Sequence, residues 1–109
     1  MSKYLVLNPD ESWVSGEVKP TLSVLQAAVE GYVEVVSIRG YGNPDMWLNE
    51  EGKLTGHRTN IVATRIAHET ESIFPSDYIA GPVVFTGGVD RYGNTKPLTK
   101  TQERLLRGV

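Results

Sequence analysis

The stretch Thr21-Leu22-Ser23-Val24-Leu25-Gln26-Ala27-Ala28-Val29-Glu30-Gly31-Tyr32-Val33-Glu34-Val35-Val36-Ser37-Ile38-Arg39 decides the fold. Thr21 can cap a helix, and Leu22, Leu25, Ala28 and Val29 recur at i, i+3, i+6 and i+7, which predicts one apolar helix face. Gly31 stands where a left-handed residue closes a helix. From Tyr32 to Arg39 the β-branched residues predict a strand. With a one-residue Gly joint between them, the helix has to fold back across the sheet that this strand enters.

Working towards the N-terminus, Lys3 to Leu7 reads as a strand closed by the turn Asn8-Pro9-Asp10. Ser12 to Val18 is a weaker second strand, with Trp13 as its apolar anchor and Gly16 as a bulge position, and the two pair as a hairpin. Towards the C-terminus, Gly40 to Asp45 is a loop and Met46-Trp47-Leu48-Asn49 a short strand. Glu50-Glu51-Gly52 is a turn, with Lys53-Leu54-Thr55 as its return strand. Thr59 or Asn60 caps a second helix with Ile61 or Val62, Ile66 and Ala67 on its apolar face. Residues 77–86 form one strand or two, broken at Gly81-Pro82, and Gly87 to Asn94 is a hairpin tip. Thr99 and Gln102 have capping-box spacing ahead of Leu105-Leu106 and the closing Gly108. The elements mix without regular β-α alternation. They predict an α+β fold: a mostly antiparallel sheet of about five to six strands with two to three helices packed on one face. One domain is expected over residues 1–109.

Composition removes several function classes. Eleven basic residues stand against 13 acidic ones, a net charge of −2, where a general nucleic-acid binder shows a basic excess and a DNA mimic a large acidic one. Cys is absent, so disulfides, thiolate metal sites and Cys nucleophiles are excluded together. His57 and His68 are too far apart in sequence for metal-ligand spacing, and neither a nucleophile elbow nor a phosphate loop is present. The expectation is a protein that is not an enzyme and needs no cofactor. No apolar run approaches the ~18 residues of a membrane span, and a cytoplasmic location is expected.

Two segments in order carry a family resemblance. Thr21 to Val35 follows the pattern T-L-x-x-L-Q-x-x-V-x-G-Y-[IV]-E-V, and Leu48 to Gly56 follows N-E-E-G-K-L-x-G, with Asn60 shortly after and Ile79-Ala80-Gly81-Pro82-Val83-Val84 as a closing strand. From Thr21 to Arg107 the chain resembles domain of unknown function 3846, small proteins of bacteriophages and mobile elements of Gram-positive bacteria. His57-Arg58 stand where that family often has Leu-Pro, and Ile61 where it has Arg. The resemblance implies a phage or mobile-element accessory role and no established activity.

Asn49, Lys53, His57, Arg58 and Asn60 form the richest polar cluster, on a predicted hairpin that runs into a helix N-terminus. A helix start offers free N–H groups and partial positive charge, so these residues are the candidate site for a small anionic or nucleotide-like ligand. Asn49 and Asn60 are equally well suited to a turn and a cap. Tyr41, Arg91 and Tyr92 are candidate anchors for a host protein, because aromatic and Arg side chains on loops suit interfaces. Tyr41, between two glycines, is expected to be exposed; Trp47, between Met46 and Leu48, is expected in the core. Lys100, Arg104 and Arg107 share one helix face but suit a solvated surface better than nucleic acid. The leading expectation is a non-catalytic accessory protein that sequesters its ligand against host defence signalling. The alternative is an antagonist binding a host protein through loops and a sheet edge. Homo-oligomers are an open option, since short sheets often pair an edge with another copy.

Overall fold

The computed structural model describes residues 2–109. Its first hairpin joins β1 (Tyr4–Leu7) to β2 (Trp13–Gly16), paired antiparallel from Tyr4↔Gly16 to Leu7↔Trp13. That register is continuous, so Gly16 is not a bulge. The Tyr4 ring lies over it, and any Cβ there would overlap the ring.

Next comes α1 (Leu22–Val29), with the Thr21 hydroxyl accepting from the Val24 amide at 3.4 Å. The residue in left-handed conformation is Glu30, at φ 64°, and not Gly31 as its position predicts. Gly31 has a different task. A Cβ on it would stand 2.6 Å from Asn49 Nδ2, so glycine is what lets the Asn49 amide reach the end of α1.

After this joint come β3 (Val33–Ser37) and β4 (Asp45–Asn49), then α2 (Ile61–Glu69), β5 (Val83–Thr86) and α3 (Lys100–Arg107). They complete one 5-stranded antiparallel sheet in the order β2-β1-β5-β4-β3. Its last strand in sequence therefore sits at its centre. With β3 and β5 on either side, β4 has no open edge, which is why the expected return strand at Lys53–Thr55 does not form. Residues 51–57 wind as turns instead, with the Thr55 amide donating to Glu51 O at 2.9 Å and the His57 amide to Gly52 O at 3.1 Å. The Thr99–Gln102 capping box is present on α3.

Helices cover both faces of the sheet, which corrects the one-sided packing expected. Leu25 and Val29 of α1 pack with Val84, flanked by Tyr4, Val6, Val33 and the half-buried Trp47. On the opposite face Val62, Ala63, Ile66 and Ala67 of α2 and Leu106 of α3 join Leu5, Leu7, Met46, Leu48, Val83 and Phe85. Strand alternation assigns these sides, and β5 is buried along its whole length because it serves both. Among the described residues no helix is long and apolar enough to cross a membrane.

Candidate functional site

The hairpin–helix cluster is brought together only in part, and its amides are already in use. Asn49 closes β4; its Nδ2 donates to Val29 O at 3.0 Å, and its Oδ1 accepts from the Glu51 amide at 2.8 Å. Asn60 is 1% exposed and caps α2, with Oδ1 accepting from the Ala63 amide at 3.1 Å. Its Nδ2 donates to Leu7 O and to Gly81 O, both at 3.0 Å. One side chain thus ties the end of β1, the start of α2 and the approach to β5. The neutral amide suits this place, since it satisfies buried backbone groups of both polarities.

The cations of the cluster separate. Lys53 pairs with Asp77, and its ammonium lies 4.5 Å from the centre of the Tyr78 ring. The hydrogen bond within this pair raises the Lys53 pKa and lowers that of Asp77. Lys53 borders a small cavity of about 120 Å³ that it shares with Glu34, Glu50 and Asp77, so the local charge favours a cation and not an anion. His57 packs its ring against Gly81, and its Nε2 meets Glu30 Oε1 at 3.1 Å. Arg58 is exposed and acts on Asp10, whose pKa is lowered first by the Ser12 hydroxyl and amide and to a lesser degree by Arg58.

Tyr41 is half-buried against the core on the face covered by α2 and α3, which corrects its expected exposure. Its hydroxyl donates to Glu69 Oε2 at 2.9 Å, and burial followed by this bond raises its pKa. Arg91 and Tyr92 are exposed together, with the guanidinium 5.1 Å from the ring centre. The tip that carries them is ordered by Asp90, whose carboxylate accepts from the Tyr92 and Asn94 amides at 2.8 and 2.9 Å.

A second hollow, of about 610 Å³, opens at the other end of β4, and its residues were not among the candidates. It is bounded by Arg39 beyond β3, Asp45 at the start of β4, Gly87, Gly88 and Lys96, and Thr99, Thr101 and Gln102 at the N-terminus of α3. Gln102 holds its sides together: Nε2 donates to Gly42 O at 2.9 Å and to Gly87 O at 3.3 Å, while Oε1 accepts from the Thr99 amide at 2.8 Å. Tyr41, Gly42 and Asn43 all have positive φ, which turns the chain sharply into β4.

Asp45 is 8% exposed, and its carboxylate accepts one long hydrogen bond, from the Ser37 hydroxyl at 3.3 Å. Burial raises its pKa, with Ser37 and the more distant Lys96 opposing. Among the described residues, neither Arg39 nor Lys96 has a carboxylate at ion-pair distance. The hollow thus combines a mostly buried carboxylate with one long hydrogen bond, two cations without ion pairs and the positive end of a helix. No fully enclosed side-chain polar atom among the described residues lacks a partner, so the second Asp45 oxygen reaches the surface. Sequence reasoning missed it because it comes from three segments remote in the chain. The one local signal was an acid directly after the turn formers Gly40 to Pro44. Among the described residues there is no group of three His, Asp or Glu side chains placed to hold a metal ion.

Fold and hollow define a layered domain: one antiparallel sheet between helices, with a polar recess at one end. The chain belongs to the family described as Domain of unknown function (DUF3846), whose family model matches residues 1–108. The match takes in the first hairpin as well as the segments that carry the resemblance. No curated protein and no solved structure matches the chain.

Proposed function

We propose that the chain is a non-catalytic binding protein for a small anionic, nucleotide-like ligand, held in the hollow between Arg39, Asp45, Lys96 and the start of α3. The observation that carries this reading is the shared exposure of Asp45, Arg39 and Lys96 to one recess. The cations and the α3 N-terminus suit phosphate oxygens. A buried carboxylate with spare acceptor capacity suits an exocyclic amine or ring N–H. A nucleotide offers both on one molecule. The hairpin–helix segment is the weaker site, because Lys53 and His57 have acidic partners and both Asn amides are bonded to backbone. In the phage setting that the family resemblance suggests, such binding would sequester a host signalling nucleotide in the host cytoplasm.

Titration calorimetry with a panel of linear and cyclic nucleotides tests the proposal. One nucleotide class is expected to bind, and Arg39→Ala combined with Lys96→Ala should weaken it by at least about tenfold. Lys53→Ala and Arg58→Ala should leave it unchanged. Binding by none of the panel, or binding that depends on Lys53 and Arg58, overturns the assignment.

A second reading rests on Tyr92, which is 75% exposed and stacked with Arg91 on an ordered tip. Such a pair suits the centre of a protein interface. Retention of one host protein that is lost with Tyr92→Ala, without change in nucleotide binding, would favour a host-protein antagonist.

A further inference from the structure

The free edge of β3 is built to pair with another strand. Register places Val33 opposite Asn49 and Ser37 opposite Asp45, without interruption. Just outside this ladder, Glu50 N donates to Tyr32 O at 3.0 Å and Ile38 N to Pro44 O at 3.0 Å. Even-numbered residues therefore face β4 with their backbone groups, and alternation turns those of Val33, Val35 and Ser37 outward. Among the described residues these outward groups have no backbone partner.

Edge strands are normally blunted by charged side chains, Pro, a bulge or a covering element. β3 has no Pro, no bulge and no strand on its outer side, and its one charge is Glu34. The Ser72 hydroxyl, accepting from the Arg39 amide at 3.2 Å, covers only the position beyond its C-terminal end. Val35, in its middle, is 47% exposed. The opposite edge differs: β2 is one residue shorter and ends at Gly16, beneath the Tyr4 ring.

We propose that the chain pairs with a second copy of itself through β3, antiparallel, with Val35 opposite Val35 of the second copy. Three features select this occupant. First, the register matches outward-facing residues with outward-facing residues along the whole strand, Val33 with Ser37 of the second copy and the reverse, giving about six backbone hydrogen bonds. Second, it sets Glu34 opposite Val36 of the second copy, so no like charges stand directly opposite. Third, the charges at the two ends of the edge are complementary. Arg39, exposed and without an ion pair among the described residues, comes opposite Gly31 of the second copy, beside its exposed Tyr32 ring and near its Glu30 carboxylate. That carboxylate stays two-thirds exposed, with His57 of its own copy at 3.1 Å. Ligand and second copy therefore compete for Arg39. The product is one sheet continuous through both copies.

Val35 lies outside the hollow, so variants there separate this inference from the nucleotide reading. Sedimentation equilibrium of the full chain is expected to show a reversible dimer. Val35→Pro removes an N–H that β4 does not use, so the fold is expected to survive while dimerisation weakens at least about tenfold. Val35→Lys should act in the same direction and serves if the proline variant does not fold. Because the chain has no cysteine, Val35→Cys gives a single thiol at the dyad. Opposed residues in such a pair have Cα atoms about 5.5 Å apart, within disulfide range. Mild oxidation should therefore link Val35→Cys copies quickly, and Val14→Cys copies, beside the other edge, slowly. A monomer throughout the sedimentation range, a dimer unaffected by Val35→Lys, or equal cross-linking at both sites refutes the pairing.

Discussion

Two polar regions flank β4, and they differ in how many of their groups find partners inside the protein. At its C-terminal end the hydrogen bonds of Asn49 and Asn60 all go to backbone groups, while Lys53 and His57 meet carboxylates. At its N-terminal end Asp45 is buried with one long bond, and Arg39 and Lys96 have no close acid among the described residues. The contrast separates architecture from candidate function. A buried polar group with every partner in place holds the fold, whereas one left with spare capacity lowers stability and needs another reason to be there.

Substitutions can break that contrast. The largest effect is expected at Asn60. Asn60→Ala leaves the Ala63 amide and the Leu7 and Gly81 carbonyls without their partner, a cost of about 3–5 kcal/mol in urea unfolding. A loss below about 1 kcal/mol would show that water replaces the amide and that the node is not architectural. Asn49→Ala should cost about 2 kcal/mol by the same measurement, since two bonds are lost at a less enclosed site.

The carboxylates should differ in the sign and the window of their pH dependence. Burial raises the folded pKa of Asp45, so the folded state binds the extra proton between the unfolded value, about 4, and that raised value. Through this window Asp45 makes the fold less stable as pH rises. Asp45→Asn should remove the slope, raise the melting temperature at neutral pH and abolish nucleotide binding. Asp77 behaves oppositely. Its pKa is lowered by Lys53, so its contribution is full above about pH 4 and is lost as pH falls through the lower folded value. Thermal melts of Asp45→Asn and Asp77→Asn from acid to neutral pH check both signs. The smallest effect belongs to Lys53→Ala. Both partners of its ion pair are about two-fifths exposed, so solvent screening limits the loss to ~0.5 kcal/mol and no change in ligand binding is expected.

Local pattern made much of the fold legible. The apolar spacing of Leu22 to Val29, the β-branched run after Gly31 and the Thr99–Gln102 box all lie within a few residues, and each formed its expected element. The return strand at Lys53–Thr55 failed for a nonlocal reason, since β5 arrives from far along the chain to occupy the edge it needed. That same placement buries β5 on both sides and calls for helices on both faces. The site was legible only as a set of residue types. Asn49 and Asn60 suit a turn and a cap as readily as they suit a binding site, and only their partners decide between the two. Arg39, Asp45 and Lys96 acquire a shared surroundings only after the sheet closes.

The central place of β5 also has a consequence for the order in which the chain acquires its structure. β1 must wait for a strand that starts at Val83, and β4 needs the same strand. Until then β1 can pair only with β2 and β3 only with β4, as separate two-stranded hairpins of the kind that are marginal in water. Closure is a late, long-range event, and long-range pairing slows folding. A polypeptide stalled on the ribosome before Val83 has emerged should remain sensitive to protease, and one released a few residues beyond α3 should become resistant in a single step.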